Sequence, residues 1–80
     1  MTREEVFLTV TAVFRDVLDN DRLVLEEKTT ADDVEDWDSL THIQLVVAVE
    51  KRFRIRFGSR EIRGWNDVGG LVDSIFAKVS

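Results

Sequence analysis

Three stretches of the sequence repeat apolar residues at the spacing of one helix face, and this repetition limits the fold more than any other feature. The stretches span residues 6–18, 40–53 and 68–79. Such spacing predicts amphipathic helices, each of which buries one face against the others. A segment between Ser59 and Gly64 predicts a fourth, shorter helix with Ser59 as its cap. We therefore expect an all-α fold, a small four-helix bundle of three long helices and one short helix.

Short polar residues mark the expected helix ends. Thr2 and Glu5 have the spacing of a capping box at the start of the first helix. Ser39 stands directly before the apolar run that begins at Leu40, so we expect its hydroxyl to cap the second helix. Asn66 is the expected cap of the last helix.

Two segments are less regular than the helices. Residues 19–38 show no helical period and predict a long loop between the first and second helices, with a single helical turn over 29–34. Gly69 and Gly70 weaken the last helix relative to alanine. Either close packing or mobility at this point explains the glycine pair.

Composition and charge limit the partners and the compartment. The 80 residues predict one domain over 1–80, and no apolar run approaches the roughly 20 residues that a membrane span needs. The net charge is −5, with twelve acidic and four basic residues in 1–40 but four acidic and seven basic in 41–80. An acidic half repels phosphate backbones, so we expect protein partners and no nucleic acid. Because the N-terminus lacks the order of a signal peptide, we expect a cytoplasmic protein.

The residue inventory argues against an enzyme. Cysteine is absent and His42 is the only histidine, which excludes a thiolate nucleophile and disfavours a transition-metal site. A Ser-His-acid triad would have to pair His42 with a serine such as Ser39, and 80 residues leave little room for the pocket it needs. We expect His42 to be an exposed residue of the first turn of its helix.

Ser39 has the setting of a site of covalent modification. The N-terminal end of a helix carries unpaired N–H groups and a partial positive charge, and both stabilise a phosphate ester. The preceding loop exposes the hydroxyl to an incoming enzyme. The second helix also has a second apolar stripe of Leu40, Ile43 and Val47 beside the stripe that the core needs. Two stripes exceed the requirement of one buried face.

The run Trp37-Asp38-Ser39-Leu40 and the helix that follows it to Phe53 resemble the Asp-Ser-Leu motif and second helix of the acyl carrier protein family. The resemblance covers nearly the whole chain, including the acidic loop and the last two helices. It implies that Ser39 receives 4′-phosphopantetheine from coenzyme A through a phosphodiester. The enzyme for that step is a separate Mg²⁺-dependent phosphopantetheinyl transferase. The arm would then carry acyl groups as thioesters for acyl-transferring or condensing enzymes, and the carrier itself would be a stand-alone monomer.

The resemblance also implies recognition residues. Asp38 and Leu40 match positions that partner enzymes contact, Ile43 and Val47 match exposed apolar positions of the recognition helix, and Glu50 matches one of its acidic positions. An acyl chain on the arm could be sheltered if the helices part slightly.

Departures from the family pattern leave alternatives open. Trp37 stands where the family often has glycine, so it either packs the loop or meets a partner. Four positions of the recognition helix where acids are common hold Thr41, Gln44, Lys51 and Arg52. We therefore favour a specialised, polyketide-like pathway over general fatty-acid synthesis. The alternatives are an amino-acid carrier of the peptidyl or D-alanyl type, and an unmodified helical interaction module in which Ser39 is only a cap.

Overall fold

A computed structural model describes residues 1–79 and contains four α-helices. They are α1 (Arg3–Val17), α2 (Ser39–Phe53), α3 (Ser59–Gly64) and α4 (Val68–Val79), with one turn of 3₁₀ helix at Ala31–Asp33 in the long loop. The prediction of three long helices and one short helix is confirmed, and residues 1–79 contain no strand. None of these helices is long and apolar enough to cross a membrane.

The core lies where α1 meets α2 and α4, which are the packed pairs of long helices. The apolar stripes of the three long helices supply most of it, and Leu25 and Val34 close it from the loop. Seven side chains are completely buried: Val6, Val10, Phe14, Val49, Val68, Val72 and Ile75. Because the buried residues recur at helical spacing along each long helix, packing rather than intrinsic propensity holds these helices in place.

The capping box at the start of α1 is confirmed. The Thr2 hydroxyl accepts a hydrogen bond from the Glu5 amide at 3.1 Å, and the Glu5 carboxylate accepts one from the Thr2 amide at 2.8 Å. The backbone N–H of Thr2 is the main cause that lowers the pKa of Glu5, so this cap is charged at neutral pH.

The expected caps of α3 and α4 are wrong by one residue. Gly58, not Ser59, precedes α3, and its amide donates to the Glu61 carboxylate at 3.0 Å. Asp67, not Asn66, precedes α4, and its carboxylate accepts from the Gly70 amide at 2.8 Å. In both helices a carboxylate accepts a hydrogen bond from an amide at the N-terminal end of the helix. An anion is the better partner there because it also meets the positive end of the helix dipole.

Backbone hydrogen bonds attach the long loop to the start of α4. The Val68 amide donates to the Thr29 carbonyl at 2.8 Å, and the Gly69 amide donates to the Glu27 carbonyl at 2.9 Å. These amides belong to the first turn of α4, where a helix has no internal partners for its N–H groups. The loop therefore supplies the acceptors that α4 lacks.

Arg3 joins three elements around the same point. Its guanidinium donates to both carboxylate oxygens of Glu27 in the loop, at 2.7 and 2.8 Å, and to Asp73 of α4 at 2.7 Å. These hydrogen bonds raise the pKa of Arg3 and lower that of Glu27. A guanidinium suits this place because its donors are held in a planar fork that matches a carboxylate.

Close packing explains Gly69, and this gives a testable contrast with its neighbour. A methyl group on Gly69 would lie 2.7 Å from a Glu27 carboxylate oxygen and 3.0 Å from the Glu27 carbonyl, whereas one on Gly70 would have its nearest neighbour at 3.5 Å. We expect Gly69→Ala to lower the free energy of unfolding by about 1–3 kcal/mol through overpacking. Gly70→Ala should raise it by up to about 1 kcal/mol through helix propensity. Urea unfolding measures both, and equal stabilisation by the two variants would contradict the close contact.

Candidate functional site

The N-terminus of α2 is capped by Asp38. One oxygen of its carboxylate accepts from the Leu40 amide at 3.0 Å and from the Thr41 amide at 2.9 Å, and the Thr41 hydroxyl accepts from the Asp38 amide at 2.8 Å. The Thr41 amide is the main cause that lowers the pKa of Asp38. The carboxylate is therefore ionised at neutral pH and fixed to the first turn of the helix.

Ser39 is the first residue of α2 and not its cap, so the sequence prediction of a capping serine is wrong. Its side chain is exposed, and its hydroxyl makes no hydrogen bond with any part of the described chain. The carboxylate of Asp38, one residue earlier, already bonds the Thr41 amide, which is one of the two amides that a capping Ser39 would bond. The Ser39 hydroxyl thus takes no part in capping α2. The helix end also offers fewer open N–H groups to a phosphate than the sequence suggested.

Trp37 packs the loop against the core and fixes His42. Its ring meets Phe14 edge-on at a centroid distance of 5.0 Å, and its indole N–H donates to Nδ1 of His42 at 3.1 Å. The Trp37 and His42 rings lie 17° from parallel. His42 is half-buried, so the expectation of an exposed histidine is wrong. Of the two roles considered for Trp37, packing of the loop is the one seen in the structure. Contact of Trp37 with a partner stays a prediction.

Little free space lies between the helices beneath the start of α2. A cavity of about 10 Å³, roughly the room for one water, is lined mainly by aromatic and aliphatic side chains. Its lining residues are Phe14, Trp37, His42, Leu45, Val46, Val49, Trp65 and Leu71. The Trp65 indole N–H is buried and lacks a hydrogen-bond partner within residues 1–79. A cavity of this size has no room for an acyl chain, so the sheltering of such a chain stays a prediction.

The second apolar stripe of α2 is exposed, as the sequence predicted. Leu40 is 67% exposed, Ile43 64% and Val47 43%, whereas Leu45 and Val49 on the other stripe are buried. Contact of the exposed stripe with a partner stays a prediction.

Glu50 is engaged within the molecule. Its carboxylate accepts from the Phe57 amide at 2.9 Å, and the side chain is half-buried. It therefore anchors the segment that connects α2 to α3. A partner would meet a carboxylate that already has one donor, and its role in recognition stays a prediction.

Comparison with known proteins identifies the family. No protein-family model matches the chain, and no curated protein matches it either. Among solved structures, the chain is similar to the holo acyl carrier protein from Geobacter metallireducens, determined by NMR in solution. The two are 36% identical with a TM-score of 0.88, and the match covers 92% of this chain and 85% of that one.

The chain belongs to the acyl carrier protein family. Membership confirms the resemblance drawn from the Asp38-Ser39-Leu40 motif and its flanking helices. The solved acyl carrier protein is in its holo form, and the four-helix architecture is common to both molecules. In this member of the family the motif serine is free because the motif aspartate performs the capping.

Proposed function

We propose that the chain carries acyl groups as thioesters on a 4′-phosphopantetheine arm attached to Ser39. The observation that carries the proposal is the Ser39 hydroxyl, exposed and without a hydrogen bond in the described chain, at the first residue of α2 in an acyl carrier protein. The arm fits this place because no other side chain is bonded to the hydroxyl. When bound, the group supplies a thiol, which this cysteine-free chain lacks.

The attachment needs a second protein. Ser39 Oγ would attack the phosphorus of coenzyme A that bears the pantetheine, forming one P–O bond and breaking the P–O bond to the adenosine bisphosphate leaving group. The hydroxyl proton must pass to a base. His42 Nδ1 already accepts from Trp37, and one oxygen of the Asp38 carboxylate already accepts from two amides. We infer that the base and the Mg²⁺ come from a phosphopantetheinyl transferase, of which the carrier is the substrate.

The remaining assignments rest on the sequence. We infer that acyl-transferring or condensing enzymes are the other partners of a monomeric, cytoplasmic carrier that spans 1–80 as one domain. The scarcity of acids on α2 favours a specialised, polyketide-like pathway. An amino-acid carrier is the second candidate, which loading by an adenylating enzyme would distinguish. The unmodified module loses support because its premise, a capping Ser39, is wrong.

An intact-mass measurement tests the proposal. The chain is weighed before and after incubation with coenzyme A, Mg²⁺ and a broad-specificity phosphopantetheinyl transferase. We expect a gain of one phosphopantetheine group, and peptide mapping should place it on Ser39. A folded chain that gains no mass would contradict the proposal.

A further inference from the structure

A basic surface lies at the end of α2 opposite to Ser39. We give this name to Lys51, Arg54 and Arg56, whose exposed side chains surround an open concavity of about 490 Å³. None of the three forms an ion pair with another side chain in residues 1–79. Val47, Glu50 and Ile55 complete the lining of the concavity. The core lies elsewhere, so the packing of the fold does not require three cations around this partly apolar recess.

The basic surface continues the exposed apolar stripe of α2. Val47 belongs to both, since it is the last residue of the stripe and also lines the concavity. The stripe begins at Leu40, beside Ser39. At about 1.5 Å per residue, the 15 residues of α2 separate the Ser39 hydroxyl from the basic surface by roughly 20 Å.

The two ends of α2 have opposite charge. Glu35, Asp36 and Asp38 are exposed just before Ser39, whereas Lys51 and Arg56 are exposed at the far end. The one acid in the concavity, Glu50, is bonded to the Phe57 amide and is outnumbered by the cations. The surface along α2 is therefore negative at Ser39, apolar in the middle and positive beyond Val47.

We propose that the basic surface binds an acidic segment of the enzyme that the acyl arm visits, with an apolar side chain of that segment in the recess between Val47 and Ile55. The proposal rests on the carrier function proposed above. It adds that the partner presents cations opposite the Asp38 end of α2 and anions opposite the Arg56 end. Two matched charges about 20 Å apart orient the partner during approach, because a reversed or uniformly charged surface meets repulsion at one end.

The charge pattern also selects a protein over other anionic partners. A lipid surface or a nucleic acid is negative along its whole length, so it would meet the acids beside Ser39 as well as the basic surface. The net charge of −5 adds to that repulsion. A folded protein can place opposite charges at the two ends of one docking face.

A cross-linking rate tests the proposal. The chain is loaded at Ser39 with an arm that bears a cysteine-reactive electrophile, and loading is verified by mass. It is then mixed with two condensing enzymes of known structure, one with an acidic rim around its active-site entrance and one with a basic rim. We expect faster cross-linking to the acidic-rim enzyme. Lys51→Glu with Arg56→Glu should slow that reaction at least about 10-fold at low salt, and the difference should shrink as salt rises.

A matched control distinguishes the effect of losing the basic surface from the effect of a more negative net charge. Arg22→Glu with Lys28→Glu changes the net charge equally, at two exposed loop residues outside the concavity. We expect the control to slow the reaction less than about 3-fold. Lys51→Gln with Arg56→Gln should give an intermediate rate and avoids a new acid in the last turn of α2, where the helix dipole disfavours it.

Several results would overturn the proposal. They are faster cross-linking to the basic-rim enzyme, an equal loss in the control variant, and no cross-linking of the loaded chain to either enzyme. Self-association or binding to phosphatidylglycerol vesicles that the Lys51 and Arg56 variants abolish would also overturn it. A chain that takes no arm would instead refute the carrier function. In that case the affinities of the unmodified chain for the acidic-rim and basic-rim enzymes are measured and compared instead.

Discussion

The Ser39→Ala variant should gain no mass with coenzyme A, Mg²⁺ and the transferase, whereas the wild-type chain gains one phosphopantetheine group. The variant lacks the only hydroxyl that the proposed phosphodiester uses. Its free energy of unfolding should lie within about 0.5 kcal/mol of the wild-type value, because the Ser39 hydroxyl is exposed and makes no hydrogen bond in the described chain. Intact mass and urea unfolding measure the two effects separately.

Asp38→Ala is the matched contrast to Ser39→Ala. It removes the cap and leaves the Leu40 and Thr41 amides without the acceptor they now share. We expect a loss of about 1 kcal/mol in the free energy of unfolding, and up to about 2 kcal/mol. Asp38→Asn should retain most of that stability, since an amide oxygen also caps. If Ser39→Ala proved as costly as Asp38→Ala, the assignment of the cap to Asp38 would be wrong.

Trp37→Ala should destabilise the chain strongly. It removes the edge contact with Phe14 and the hydrogen bond to His42. Truncation of a large core aromatic costs about 3–5 kcal/mol, and the half-buried position places Trp37 near the lower value. A loss of about 3 kcal/mol corresponds to a fall in Tm of roughly 12–24 °C for a domain of this size. Differential scanning calorimetry measures the fall.

Two further variants show what causes the loss of stability in Trp37→Ala. Trp37→Phe keeps an aromatic ring against Phe14 but removes the N–H that His42 accepts, so we expect a loss of about 1 kcal/mol. Val24→Ala, at an apolar loop residue that is 71% exposed, should change stability by less than about 0.5 kcal/mol. A Trp37→Ala variant as stable as Val24→Ala would show that the loop does not depend on the indole.

The helices and the exposed stripe were predictable because both are local patterns. The valines of α1 and α4 repeat within a few residues, and the spacing alone shows which face is buried. The stripe of Leu40, Ile43 and Val47 was recognisable because α2 has more apolar residues than one buried face can use. These features need no knowledge of how the chain folds back on itself.

The contacts that the sequence did not reveal depend on that folding back. Trp37 and His42 are five residues apart across a helix start, a spacing that no regular period marks. The hydrogen bond from Phe57 to Glu50 forms only because the segment after α2 turns back along it. The Ser39 cap was misplaced for a different reason. Asp38 and Ser39 are both good caps, and only the structure shows which of them bonds the first turn.

The hydrogen bonds between the loop and the start of α4 also bear on the order of events during synthesis. The ribosome makes the chain from its N-terminus, so Ser39 is added about thirty residues before Gly69. Until then Glu27 and Thr29 have no amides of α4 to bond. A nascent chain thus carries the serine before the loop that precedes it has its hydrogen bonds to α4. If the proposed function holds, a transferase that recognises the folded loop should modify chains in which α4 has formed and leave those in which it has not.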